Sequence, residues 1–366
     1  MLLSTLSILG LLSCSQEITV PPSEIAIGID RLSYSDSNRT NWQNKGPRPL
    51  KTTIWYPATD GAEMSEILIP HNNPVFSGGW ASRGAPIKND QQRPLIIMSH
   101  GTGGSAYQLM WLGRRLAAAG YIAAAVDHHG NTAAEDAYDA RGFRLFWERA
   151  QDLSVVLDQL VADPKFGSMI DQNRIGAVGF SLGGYTVIAA SGGIINLDQL
   201  DAFCSGPRRD TTCEPQTEYA DNARDFEKLK DTPSAAKSLT RHSQSFLDSR
   251  IKATIALAPA LGMAFTKESL AAIEIPVHIV VGEADKIAPA ATNAQVIADS
   301  IPGTKYTLLK GGPGHYVFLN QCTSRGIRYV PICKDNEGVE RAKVHMAASE
   351  IVNHHFESVF GAPENR

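Results

Sequence analysis

Ile175-Gly176-Ala177-Val178-Gly179-Phe180-Ser181-Leu182-Gly183-Gly184-Tyr185-Thr186-Val187-Ile188 decides how this chain reads. A short apolar run enters Gly-Phe-Ser-Leu-Gly-Gly and leaves as a small-residue apolar segment of helical character. This is G-x-S-x-G between a strand and a helix, a turn so sharp that it strains the serine backbone and exposes its hydroxyl. Gly179 and Gly183 remove the Cβ atoms that would collide where strand and helix pack closely. Five residues with three fixed positions also arise by chance, so the surroundings decide the reading.

Working outward, strand and helix patterns alternate from Pro94 onward. Leu95-Ile96-Ile97-Met98 is a short, wholly apolar run of the kind buried on both faces of a parallel sheet. Gly101 to Gly104 form a turn, and Tyr107 to Ala119 read as a helix ended by Gly120. Tyr121 to Val126 is the next strand, and Phe143 to Val161 a second helix stopped at Asp163-Pro164. Upstream, Ile25, Ile27 and Ile29 alternate with smaller residues, and Lys51 to Tyr56 is β-branched and aromatic; both read as strands. Between Pro57 and Pro94 the composition is that of a loop, with Trp80 read as a loop anchor in preference to a pocket-lining residue.

Gly192 to Arg250 breaks the rhythm: polar, with Gly206-Pro207 and Thr232-Pro233, and with helical stretches such as Ala223 to Leu229 but no convincing strand. It reads as an insertion over the sheet. Alternation resumes with Ile251 to Leu257, a helical segment near Lys267 to Ile273, Val277 to Val281, a helix at Ala290 to Ser300, Tyr306 to Leu309, and a last helix from Val339 to Phe360. Such alternation implies right-handed crossovers and a mostly parallel sheet with helices on both faces.

A serine hydroxyl needs an imidazole to take its proton, and the imidazole works best when a carboxylate fixes its tautomer. Both partners follow in the order that this strand–turn–helix arrangement requires. Val277 to Val281 leads into Gly282-Glu283-Ala284-Asp285; Tyr306 to Leu309 leads into Gly311-Gly312-Pro313-Gly314-His315. Asp285 is preferred to Glu283 because it lies deeper in its loop. His315 is preferred to the in-strand His278 and to His345, His354 and His355 of the last helix, since it alone combines a post-strand loop, a flanking glycine and the right chain order. Donors for a developing oxyanion are expected from the N–H groups of Leu182, at the helix start, and Thr102, in His100-Gly101-Thr102-Gly103-Gly104. Trp147, Tyr185, Phe265 and Tyr316 are candidates either for a substrate pocket or for ordinary packing.

With these residues in place the chain resembles the α/β-hydrolase superfamily, and within it the dienelactone-hydrolase-like and platelet-activating-factor-acetylhydrolase-like esterases. The match rests on Ile54-Trp55-Tyr56-Pro57, Ser99-His100-Gly101-Thr102-Gly103, Asp127-His128-His129-Gly130 and Gly179 to Gly184, with Asp285 and His315 where the group has its acid and base. The resemblance spans roughly residues 50 to 360 apart from the insertion and implies an α/β-hydrolase fold; residues 23–366 are then expected to form a single domain, with 192–250 as a cap after the nucleophile helix. It also implies cleavage of short to medium acyl esters through a Ser181–His315–Asp285 triad and an acyl-enzyme, with no metal or organic cofactor. The partner is then a small-molecule or lipid ester.

Composition bounds the rest. Apolar residues make up 43%, charged residues 20%, and the formal net charge is −4, which with no long Lys/Arg run argues against nucleic acid. Residues 1–22 read as an export leader. The apolar run from Leu2 to Leu12 ends in Leu11-Leu12-Ser13-Cys14, a lipoprotein-type box that would lipidate Cys14 and anchor the chain to a membrane, although no Lys or Arg precedes it. Cys204 and Cys213, nine apart, and Cys322 and Cys333, eleven apart, are expected to close two local disulfides, which suits a periplasmic or extracellular setting.

Competing readings are a lipase or polyester hydrolase, a peptidase, a non-catalytic exported scaffold and a dinucleotide-binding protein. The last draws on Gly101 to Ala106, which fits G-x-G-x-x-A between a strand and a helix, with Asp127 ending the next strand.

Overall fold

The structure, a computed structural model, describes residues 25–363. The expected leader and Cys14 lie outside the described residues.

Two long strands open the fold. β1 (Ile27–Thr40) pairs antiparallel with β2 (Pro47–Pro57), Ile27 facing Pro57 and Asp36 facing Arg48. The stretch expected as loop between Pro57 and Pro94 forms two antiparallel strands, β3 (Ser65–Ile69) and β4 (Phe76–Arg83), with Trp80 opposite Glu66. The reason is close packing. β4 runs against helix α1 (Met110–Ala118), and side chains at Gly78 and Gly79 would strike Met110 and Arg114, so the strand is made of small residues that read as a turn.

β5 (Arg93–Ser99), β6 (Ile122–Val126), β7 (Ile170–Phe180), β8 (Ile251–Leu257), β9 (Val277–Gly282) and β10 (Lys305–Leu309) run parallel in the spatial order β10-β9-β8-β7-β5-β6, and β2, then β1, extend the sheet beyond β6. Every residue of β5 and β6 is buried, which is why neither alternates in polarity. β5 lies between β6 and β7, so the chain leaves it on one side and returns on the other. Loops at the carboxyl ends of strands flanking such a switch form a crevice suited to ligands.

Helices α2 (Ala140–Arg144), α3 (Glu148–Val161) and α4 (Leu182–Ala190) follow α1. The single helix expected from Phe143 to Val161 is broken, because Leu145 leaves the helical region and Trp147 turns inward to donate its indole N–H to Ser238. Between α4 and β8 the insertion carries α5 (Leu197–Ser205), α6 (Asn222–Glu227) and α7 (Pro233–Leu239), with one isolated bridge, Ile195 to Phe265. α8 (Lys267–Ala271), α9 (Ala294–Ser300), the short strand β11 (Gln321–Cys322), α10 (Ser324–Tyr329) and α11 (Arg341–Phe360) complete the chain. One apolar cluster joins Ile27 of β1 to Phe356 of α11. Fully buried members such as Ile97, Leu153, Val178 and Val280 each contribute about 1.5–3 kcal/mol by leaving water.

Both disulfides form as expected, Cys204–Cys213 and Cys322–Cys333. No helix among the described residues is long and apolar enough to cross a membrane.

Candidate active site

The turn between β7 and α4 puts Ser181 at φ 56°, ψ −119°, a region that side chains avoid and that only a tightly constrained loop maintains. Two close approaches impose it. A Cβ at Gly179 would overlap the Gly183 carbonyl, and one at Gly183 would overlap the carbonyl of Ser99 on β5. The Ser181 N–H donates to Leu257 of β8, which seats the turn over two neighbouring strands.

Two later loops reach this serine. The Ser181 hydroxyl donates to His315 Nε2 at 2.9 Å, and His315 Nδ1–H donates to Asp285 Oδ2 at 2.7 Å. The other Asp285 oxygen accepts the N–H groups of Ile287 and Ala288, at 3.0 and 2.9 Å, so the carboxylate is aimed by its own loop. Ser181 keeps 8% exposure, Asp285 7% and His315 4%, which shields the line from bulk water without sealing it. Phe180 lies beside the imidazole, ring centroids 4.9 Å apart.

Glu283, the other acid considered, turns away. Its carboxylate accepts the N–H groups of Gly311 and Gly312 at 2.6 and 3.1 Å, and those bonds depress its pKa. It ties the acid loop to the loop that carries His315. The N–H groups of Thr102 and Leu182 have no acceptor among the described residues. Of the aromatic candidates, Trp147, Tyr185 and Phe265 are core residues at 1% exposure, and only Tyr316 stands beside His315, centroids 5.4 Å apart.

Beneath the Thr102 turn lies a buried polar network that the sequence reading did not assemble. Ser99 Oγ donates to His128 Nε2 at 2.9 Å, and His128 Nδ1–H donates to Asp152 Oδ2 at 3.0 Å; all three residues are at 0% exposure. Asp152 also takes Arg39 at 2.6 Å and Arg48 at 2.8 Å. Burial works to raise its pKa, but Arg48 and Arg39 together hold it well below the usual carboxylate range. Burial, reinforced by Arg149, pushes His128 down to about 3 and keeps the ring neutral. Arg149 donates to the His100 carbonyl and, at 3.3 Å, to Ser99 Oγ, so the network clamps the end of β5. A signal was present in the sequence: Arg149, Asp152 and Val156 recur at helical spacing on the buried face of α3.

Three amides of the G-x-G-x-x-A turn are committed to side chains, while that of Thr102 is left for an oxyanion. Gly101 N–H donates to Gln108, Gly103 N–H to Asn131 and Ala106 N–H to Asp127, at 2.8, 2.6 and 2.7 Å. Asp127 also pairs with Arg31 at 2.8 Å. Side chains hold the groups that a pyrophosphate and a ribose would need.

The profile described as the alpha/beta hydrolase family matches residues 96–323. The chain belongs to the alpha/beta hydrolase family. It is similar to Lipase 1 of Moraxella sp. (strain TA144), 36% identical over 76 residues that make up 21% of this chain and 20% of that protein. The chain thus spans about a fifth of the length of that curated relative. Among solved hydrolase structures, a ferulic acid esterase from Streptomyces cinnamoneus superposes with a TM-score of 0.62 at 22% identity, covering 96% of this chain and 95% of that one. That likeness is one of fold.

Proposed function

We propose that the chain is a serine carboxylic-ester hydrolase. The observation that carries this is the hydrogen-bonded line from Ser181 through His315 to Asp285, built on a serine at φ 56°. Ser181 Oγ attacks the acyl carbon while His315 Nε2 takes its proton, and Asp285 fixes the tautomer and stabilises the imidazolium. The Leu182 and Thr102 N–H groups receive the oxyanion. His315 returns the proton to the leaving alcohol; water, deprotonated by the same nitrogen, then releases the acid and frees Ser181. No step calls on a metal or organic cofactor.

The names of both relatives, a lipase and a ferulic acid esterase, belong to ester-cleaving enzymes and support this class of reaction. Short to medium acyl esters are the proposed substrates, with a lipid or polyester ester as the second reading, favoured by the lipase relative. Residues 192–250 serve as a cap on the single hydrolase domain. The two disulfides support an exported protein, released from its leader or anchored by a lipid on Cys14.

The test is Ser181→Ala on p-nitrophenyl butyrate, where kcat should fall by about 10⁴ or more. A fluorophosphonate should label Ser181 and no other serine in the wild type. Retention of most activity in the variant refutes the assignment.

A further inference from the structure

The insertion meets all three loops of the site within ten residues. Thr211 Oγ1 donates to the Lys286 carbonyl at 2.5 Å, Asn293 Nδ2 donates to Thr212 Oγ1 at 3.0 Å, and the Thr292 hydroxyl donates to Asp210; these fasten the insertion to the loop that carries Asp285. Thr217 and Glu218 lie near the phenol of Tyr316, which neighbours His315. Glu218 lies over the oxyanion turn: a Cβ built on Gly103 would sit 2.8 Å from Glu218 Cβ and 2.9 Å from its Cγ. The Cys204–Cys213 bond closes the base of this segment.

Glu218 is unlike the other carboxylates near the site. Asp285 holds His315, Asp127 holds Arg31 and Glu283 holds two amides. The Glu218 carboxylate receives the Thr217 hydroxyl at 3.4 Å, and no Lys, Arg or His among the described residues pairs with it. Its charge is felt on both sides of the opening. Burial first and Glu218 second raise the phenols of Tyr138, which donates to the Gly103 carbonyl, and of Tyr316. Glu218 is exposed, and its side chain stands at the solvent edge beside Gly103, between the turn with Thr102 and the loop with His315.

We propose that Glu218 sets the charge preference of the site, selecting uncharged and cationic esters against anionic ones. This rests on the ester-hydrolase reading and names its substrate class. Two like charges about 10 Å apart at an effective dielectric near 20 repel enough to change an equilibrium about tenfold.

The experiment measures kcat/KM of the full chain on p-nitrophenyl butyrate, mono-p-nitrophenyl glutarate and the p-nitrophenyl ester of 4-aminobutyrate. The readout is the anionic-to-neutral ratio within each variant, which cancels any general loss of activity. Glu218→Gln should raise that ratio about tenfold and lower the cationic-to-neutral ratio, and Glu218→Lys should move both further. A ratio within twofold of wild type through both substitutions overturns the proposal, as does an equal fall on all three esters. A wild type that leaves every ester intact overturns the hydrolase reading as well. One that cleaves the neutral ester without regard to charge overturns only Glu218.

Discussion

His128 and His345 are buried as neutral imidazoles, at 0% and 2% exposure, with pKa values pushed down to about 3. Burial is the main cause in both; Arg149 adds to it at His128 and Arg341 at His345. In the unfolded chain a histidine titrates near 6.5. Between pH 6.5 and 3 the unfolded chain therefore holds a proton that the native protein lacks, and stability falls as pH falls. At about 1.36 kcal/mol per pH unit per proton, each ring removes about 2 kcal/mol by pH 5, and the two together about 4. That is a large part of the roughly 5–15 kcal/mol that holds a typical protein folded. His100, also fully buried and shifted the same way, steepens the loss. Urea unfolding followed by circular dichroism at pH 7, 6 and 5, with disulfides intact, should show midpoints that drop steadily. His345→Gln should lower the slope by about one proton. Midpoints that stay level between pH 7 and 5, or a slope unchanged in the variant, refute the reasoning.

Two further outcomes follow from the site. Asp285→Asn keeps an oxygen for the Ile287 and Ala288 amides but presents an NH₂ to His315 Nδ1, which moves the ring proton to Nε2, where it blocks proton uptake from Ser181. kcat on p-nitrophenyl butyrate should fall about 10⁴-fold with the circular dichroism spectrum unchanged, and a loss under tenfold would remove Asp285 from its role. The double change Cys204→Ser, Cys213→Ser should cost about 2–3 kcal/mol in stability by freeing the unfolded chain. It should also lower kcat more than it raises KM, because Thr211 and Thr212 then brace the Asp285 loop less firmly; unchanged kcat would mean that the brace is idle.

The sheet was legible because buried parallel strands are unbroken apolar runs: Leu95 to Met98 and Val277 to Val281 became strands near the expected limits, and Ile175 to Val178 the buried centre of a strand that begins five residues earlier, at Ile170. The triad residues were legible because this fold leaves such groups in glycine-rich loops just after strands, at a fixed order along the chain. What hid was close packing between distant segments. β4 looked like a loop because its glycines make room for α1, a helix thirty residues later that no local pattern announces. Asp152 and Arg149 were not assembled from the sequence because their partners lie far away along the chain: Arg39 on β1, Arg48 on β2 and His128 just after β6 for Asp152, and Ser99 and His100 at the end of β5 for Arg149. Glu218 carried no signal at all, since its place over Gly103 depends on how a polar insertion folds back.

The described residues contain two Ser–His–Asp lines of nearly equal geometry. Ser99–His128–Asp152 spans 2.9 and 3.0 Å, and Ser181–His315–Asp285 spans 2.9 and 2.7 Å. Only the second has a serine with any exposure to solvent, a backbone turned outward and amides without acceptors nearby. The first is a dry copy, with its histidine pinned neutral and its serine capped by Arg149. One molecule thus separates relay from reactivity: a search by interatomic distance finds both serines, whereas an electrophile arriving from solvent should meet only Ser181.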